Sequence, residues 1–89
     1  FNIASYAFLT HLIAFHTGLE PYEFIYNLGN AHIYEQHIGE LNTQCMRTPY
    51  NFPSLKILNK KENINDYTID DFQIYDYKYH NSIKMNMVA

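Results

Sequence analysis

The first 17 residues carry apolar side chains on every side of the helix they would form, and this feature most constrains the fold. Apolar residues stand at positions 1, 3, 4, 6–9 and 12–15, which exceeds the single stripe of a surface helix. The pattern predicts a mostly buried helix at about 2–17 that ends at Thr17-Gly18, because glycine tolerates a left-handed cap. A short chain buries only roughly 60–65% of its unfolded surface. We therefore expect these residues to be a segment of a larger domain.

The rest of the chain predicts two kinds of regular structure. Alternating residues predict a strand at 22–34 that is interrupted at Gly29. A helix is expected at about 35–47, where Thr48-Pro49 ends it. Strands are expected at 54–58, with Leu55 and Ile57 facing inward, and at 72–77. Thr68 and Asp71 have the spacing of a capping box, which predicts one helical turn at 68–71. Residues 1–89 are therefore expected to form part of a single α+β domain.

Composition and charge exclude several classes of protein. Six Lys and Arg against nine Asp and Glu give a net charge of −3, which argues against binding to nucleic acid. The sequence is 47% hydrophobic and 17% aromatic, which is too apolar for a disordered segment. His11 and His16 interrupt the apolar runs, so no stretch approaches the roughly 20 residues that span a membrane. A single cysteine is typical of a reducing compartment, and we expect a cytoplasmic protein.

Neither a metal site nor a nucleophile is indicated by the spacing of candidate residues. The pairs His11–His16 and His32–His37 are each five residues apart, whereas helical metal pairs are four apart. No carboxylate cluster completes either pair, so we predict no metal ion. Cys45 has no histidine at helical spacing and is interpreted as a small buried apolar residue.

Three polar residues are candidates for ligand binding. His32 and Tyr34 are two apart on an extended segment, which directs both side chains to one face, where an imidazole and a phenol can share one hydroxyl. The alternative is a half-buried aromatic pair on a strand. Asn2 begins the apolar helix, where the pattern alone favours a helix cap. Its carboxamide also matches the N3–H and O4 of a uracil ring.

Five segments together resemble the C-terminal part of thymidylate synthase in order and spacing. They are FNIASYA at 1–7, LGNAHIY at 28–34, FPSL at 52–55, DFQI at 71–74 and IKM at 83–85. The resemblance covers residues 1–89 and implies the thymidylate synthase fold, with a buried central helix packed on a mixed β-sheet. It also implies a homodimer, made either of a synthase alone or of a synthase fused to dihydrofolate reductase.

The resemblance implies reductive methylation of dUMP to dTMP, with 5,10-methylenetetrahydrofolate as one-carbon donor and reductant. In this family a cysteine thiolate adds to C6 of the pyrimidine, C5 attacks the folate methylene, and hydride from the folate completes the methyl group. Asn2 resembles the residue that binds the pyrimidine edge, and His32 and Tyr34 resemble the pair that holds the 3′-hydroxyl. Phe1 resembles a residue lining the folate site. Met87, Val88 and Ala89 resemble the tail that closes over the folate.

Two departures from the family pattern stand out. Asn30 replaces an aspartate that many members have, which changes a charge beside His32. Cys45 does not match the position of the nucleophile, so the catalytic cysteine and the phosphate-binding arginines are expected upstream of these residues. Two alternatives stay open: a pyrimidine nucleotide hydroxymethylase of the same fold, and a non-catalytic segment that is inactive alone. Asn2 argues against a hydroxymethylase that acts on cytosine, because its carboxamide favours uracil.

Overall fold

The computed structural model describes residues 1–88, which contain two α-helices and two β-strands. Helix α1 spans Asn2–Thr17, helix α2 spans Ile38–Cys45, strand β1 spans Ser54–Ile57 and strand β2 spans Phe72–Tyr75. Short 3-10 turns cover Glu35–His37, Ile64–Asp66 and Ile69–Asp71. This mixture agrees with the predicted α+β class. Ala89, assigned to the tail by resemblance, lies outside the described residues.

Helix α1 ends as its sequence predicts. Gly18 follows the helix in the left-handed conformation, with φ 75° and ψ 24°. Its N–H donates to the Phe15 carbonyl at 3.3 Å, and the Leu19 N–H donates to the Ala14 carbonyl at 2.8 Å. These two bonds form a Schellman motif, which satisfies carbonyls that the helix end would otherwise leave unpaired.

The predicted burial of α1 is not found within residues 1–88. Ala14 is the one buried residue of this helix. The Phe8 ring packs on Phe72 of β2 with 4.7 Å between ring centroids, but most of the helix faces solvent. Four large apolar side chains of α1 are 40–55% exposed: Ile3, Tyr6, Leu9 and Ile13. The reason is that two four-residue strands cover one side of a helix whose apolar residues surround it.

The described residues also spread more widely than a compact domain does. Their radius of gyration is 16.7 Å, whereas a compact domain of this length has about 12 Å. The molecule measures 48 × 30 × 24 Å along its principal axes. Few side chains are therefore shielded from water, and the core reduces to the contact between α1 and the sheet.

The two strands pair antiparallel, with Leu55 opposite Ile74 and Ile57 opposite Phe72. Leu55 and Ile57 are half-buried while their neighbours in β1 are exposed, so the predicted inward face of this strand is confirmed. The mixed sheet expected from the resemblance is not seen in residues 1–88, where the sheet has two antiparallel strands. Strand β2 ends at Tyr75 because Asp76 takes a positive φ of 57°.

The strand predicted at 22–34 is wrong for the described structure. The segment forms no strand, and no backbone hydrogen bond involves residues 20–33. Alternating side chains favour an extended backbone, but a strand also needs a neighbouring strand to pair its N–H and C=O groups. Residues 1–88 place no such neighbour beside this segment.

Asp71 joins β2 to the loop before it and is 3% exposed. Its Oδ2 accepts the Thr68 backbone N–H at 2.8 Å and the Thr68 hydroxyl at 3.3 Å. Its Oδ1 accepts the Asn59 side-chain amide and faces the Lys61 ammonium, each at 3.3 Å. The Thr68 bond, followed by the contacts with Lys61 and Asn59, lowers the pKa of Asp71 against the opposing effect of burial. The predicted capping box at 68–71 is thus confirmed.

The helix predicted at 35–47 forms as a 3-10 turn followed by α2. Cys45 closes α2 as an exposed free thiol, so its interpretation as a buried apolar residue is wrong. Gly39 lies in the first turn of α2, where an added Cβ would meet no atom within 4 Å. Neither helix among the described residues is long and apolar enough to cross a membrane.

Candidate functional site

Asn2 is the first residue of α1, and its side chain is exposed. Phe1 takes the N-cap position, and no side-chain hydrogen bond caps this helix start. The capping role that the sequence pattern favoured for Asn2 is therefore not found. The carboxamide remains available to a ligand, with two N–H donors and one carbonyl acceptor.

Phe1 lies at the rim of an open apolar cleft of about 870 Å³ between α1 and the sheet. Its volume falls in the range of small-molecule sites, about 300–1,000 Å³. One wall is the first half of α1, and the other carries Phe52, Leu55 and Ile74. Asn2 does not line this cleft, although its neighbours Phe1 and Ile3 do.

His32 and Tyr34 both lie on the extended segment before the 3-10 turn, and both are exposed. Tyr34 has extended backbone angles, φ −74° and ψ 136°. The His37 N–H donates to the Tyr34 carbonyl at 2.9 Å, so the turn holds the backbone of Tyr34. The described contacts do not join His32 to Tyr34. Their joint action on one hydroxyl stays a prediction.

Residues 80–86 lie along α2 and the residues on either side of it. The Arg47 guanidinium donates to the Asn81 carbonyl at 2.8 Å, and His80 Nε2 lies 2.9 Å from the Thr48 carbonyl. The Tyr50 ring stacks on His80 with 4.5 Å between centroids. Farther along, the Asn86 carbonyl accepts a bond from His37 at 2.7 Å. Side chains of the α2 region thus contact this segment at three places: the His80 ring, the Asn81 carbonyl and the Asn86 carbonyl.

The tail residues themselves differ in exposure. Met87 is 97% exposed, whereas Val88 is half-buried. Asn86, which precedes them, is the last residue with a described hydrogen bond to the rest of the chain.

Sequence reasoning missed the structural roles of His37, Arg47 and His80. Their side chains form the hydrogen bonds that attach residues 80–86 to the α2 region. Each donates from its side chain to a backbone carbonyl 32 to 49 residues away in sequence. Such bonds leave no periodic pattern, because a backbone carbonyl accepts from any donor that tertiary structure brings near. No signal in the sequence distinguishes these three residues from other exposed polar residues.

The described residues bring no three metal-ligating side chains together. His16, His37 and His80 instead make hydrogen bonds within the protein; that of His16 joins its Nδ1 to the Tyr67 hydroxyl at 3.1 Å. Cys45 is exposed, with no base among its described contacts.

Comparison with known proteins identifies the family to which this arrangement corresponds. The family model described as thymidylate synthase matches residues 1–89. The chain belongs to the thymidylate synthase family. It is 55% identical over 89 residues to the human thymidylate synthase and 51% identical to that of Human herpesvirus 8. It is also 49% identical over 89 residues to a bifunctional dihydrofolate reductase-thymidylate synthase of Plasmodium chabaudi.

The family match covers the whole chain but only part of each relative. The chain spans 28% of the human synthase, 26% of the viral enzyme and 15% of the bifunctional Plasmodium enzyme. The segments FNIASYA and LGNAHIY, which suggested the family, lie inside the matched range. The 89 residues thus correspond to about a quarter of a thymidylate synthase of the human kind.

Proposed function

We propose that the protein carrying these residues converts dUMP to dTMP with 5,10-methylenetetrahydrofolate as co-substrate. The observation that supports this most strongly is the family match over residues 1–89, together with 55% identity to the human synthase. These residues supply part of the nucleotide site and part of the folate site. The nucleophilic cysteine is expected outside them, because Cys45 does not match the position of the family's nucleophile.

Asn2 would bind the pyrimidine edge. Its carboxamide does not cap the helix, so it can donate to uracil O4 and accept from N3–H. The donor and acceptor of cytosine are reversed at these atoms, so a carboxamide in the same orientation favours uracil. This chemistry supports the synthase over the pyrimidine nucleotide hydroxymethylase.

His32 and Tyr34 would hold the 3′-hydroxyl of the deoxyribose. Both are exposed on the segment before the 3-10 turn, and both side chains can donate or accept a hydrogen bond. Asn30, two residues before His32, carries no charge.

Phe1, Met87, Val88 and Ala89 would enclose the folate. Phe1 is exposed at the rim of the apolar cleft, and Met87 is almost wholly exposed beside the anchored Asn86. A flat ring system binds well between such apolar groups. Closure of the tail would exclude water and strengthen the electrostatic interactions inside the site. The active protein is proposed to be a cytoplasmic homodimer.

Product analysis separates the two enzymes of this fold. Reductive methylation oxidises tetrahydrofolate to dihydrofolate, whereas hydroxymethylation adds water and releases tetrahydrofolate. We expect the protein produced from its complete gene to release one dihydrofolate for each dTMP formed, measured by absorbance and chromatography. Hydroxymethylated nucleotide with no dihydrofolate would identify the hydroxymethylase, and absence of any nucleotide product would refute both.

Asn2→Asp should shift the preference of the complete protein from dUMP towards dCMP. The carboxylate accepts from cytosine N4 but repels uracil O4, and a mispaired buried polar group costs about 1–3 kcal/mol. That cost corresponds to roughly a ten- to hundredfold change in the ratio of the two kcat/KM values. Steady-state assays with both nucleotides measure this ratio, and an unchanged ratio would show that Asn2 does not bind the base.

A further inference from the structure

Two of the predicted functional segments meet at one side chain, that of His37. It stands at the end of the 3-10 turn Glu35–His37, directly before α2, and is half-buried. Its ring packs edge-on against Tyr34, with 5.6 Å between centroids and 78° between the planes. Its Nε2 lies 2.7 Å from the carbonyl of Asn86, the residue before Met87.

We propose that His37 is a positioning residue that couples the nucleotide site at Tyr34 to the tail at Met87. The proposal rests on the proposed function for the roles of Tyr34 and the tail. The juxtaposition itself rests on the two contacts of the His37 ring. Tyr34 and Asn86 are 52 positions apart in the sequence, and the imidazole between them contacts both.

The contact with Asn86 requires a hydrogen on Nε2 of the imidazole. A carbonyl oxygen can only accept, so Nε2 carries the hydrogen and donates it. A donor-to-acceptor distance of 2.7 Å lies at the short end of the range for N–H···O bonds. Among residues 1–88 this bond is the last described hydrogen bond before the tail, so it positions the backbone directly before Met87.

The contact with Tyr34 is held by the backbone. The His37 N–H donates to the Tyr34 carbonyl at 2.9 Å, which keeps the two residues on one turn. An edge-on aromatic pair has a preferred geometry, so the orientation of one ring limits that of the other. A ligand that immobilises the Tyr34 phenol would therefore steady the His37 ring and, through it, the Asn86 carbonyl.

The two contacts can be removed separately in the complete protein. His37→Phe keeps a ring against Tyr34 but has no donor for Asn86. His37→Gln keeps a donor of similar reach but has no ring. His80→Phe is a matched control, because His80 makes the same kind of bond, to the Thr48 carbonyl at 2.9 Å, away from Tyr34.

Amide hydrogen exchange of Met87 and Val88, followed by mass spectrometry with and without dUMP, reports on the tail directly. In the wild type, dUMP should slow this exchange. In His37→Phe the exchange should be about three- to tenfold faster even without dUMP, as expected for loss of one hydrogen bond. In His37→Gln the exchange without dUMP should stay within about twofold of wild type, and dUMP should no longer slow it. His80→Phe should keep the dUMP effect on Met87 and Val88.

Kinetics supply a second readout that a merely structural role would not reproduce. The Phe variant should raise KM for methylenetetrahydrofolate about three- to tenfold and leave the dissociation constant of dUMP within about twofold of wild type. Equal weakening of both substrates would overturn the proposal, because it would indicate general loss of structure.

The outcome for His37 can be separated from that for the proposed function. The comparison of wild type with His37→Phe in the absence of nucleotide needs no turnover, and equal exchange of Met87 and Val88 in the two proteins would overturn the positioning role. A wild-type protein that makes no dTMP would refute the proposed function but would leave this comparison intact. Absence of any dUMP effect on the wild-type tail would overturn the coupling.

Discussion

Replacing Gly18 by alanine should destabilise the protein, whereas the same replacement at Gly39 should stabilise it. At either position an added Cβ meets no atom within 4 Å, so steric contact with other residues does not distinguish them. Backbone conformation does. Gly18 has φ 75° at the end of α1, and among the described glycines it is the one with a positive φ. Gly39 lies in α2 with ordinary helical geometry.

The expected magnitudes follow from these conformations. A left-handed backbone costs a residue with a Cβ about 1–2 kcal/mol. Alanine also restricts the unfolded chain, which returns about 0.4–1 kcal/mol. Gly18→Ala should therefore lower the free energy of unfolding by about 1 kcal/mol. Gly39→Ala gains helix propensity and should raise it by about 0.5–1 kcal/mol. The two variants should differ by about 1.5–2 kcal/mol.

Urea unfolding of the complete protein measures the difference. Both variants are compared with wild type at one protein concentration, because association shifts apparent stability, and only midpoints with unchanged slopes are used. Gly18→Asn should lose less than Gly18→Ala, since asparagine tolerates the left-handed region. A Gly18→Ala variant as stable as wild type would refute the assignment of the α1 end. A Gly39→Ala variant that loses as much stability as Gly18→Ala would refute the argument that backbone conformation separates the two glycines.

Two further predictions concern charge and the sugar site. The lowered pKa of Asp71 means that its stabilising contribution is present above the unfolded-state pKa and is lost as the pH falls through the folded-state pKa. Asp71→Asn should therefore flatten the acid limb of a plot of urea midpoint against pH, and an unchanged acid limb would contradict the role of the carboxylate. If His32 and Tyr34 hold one hydroxyl, His32→Ala and Tyr34→Phe should each cost nearly as much as the double variant, on the order of 1 kcal/mol in KM for dUMP. The loss should be smaller with the 3′-deoxy nucleotide, and equal losses on both nucleotides would show that the pair is structural.

Local features of the chain followed from its sequence. The Schellman end of α1 needs only a glycine after an apolar helix, and Gly18 supplies it. The capping box needs only a threonine and an aspartate three residues apart, and Thr68 and Asp71 form it. The inward face of β1 follows from alternation alone. For the helix end and the capping box the interacting atoms lie within a few residues of one another, so the sequence places them together whatever the rest of the chain does.

For the candidate site, too, the sequence indicated some features correctly and others wrongly. The motifs around Asn2, His32 and Tyr34 indicated a family that the comparisons confirm. The nucleotide site that the chemistry of these three side chains indicated stays a prediction. The cap assigned to Asn2 on pattern alone was wrong, because Phe1 occupies that position. Which residue caps a helix depends on where the backbone begins to turn, and a pattern of apolar residues locates that point only to within a residue or two.

Tertiary structure alone decided whether distant segments meet. The alternating residues 22–34 remain unpaired, and most of α1 is exposed, because strand pairing and helix burial depend on surfaces contributed by other segments. The bond from His37 to the Asn86 carbonyl is the clearest case. Its acceptor is a backbone oxygen, which every residue carries, so the side chain at position 86 could not have predicted this bond. Such contacts are fixed by the path of the whole chain, whereas caps, turns and strand faces are fixed by neighbours in sequence.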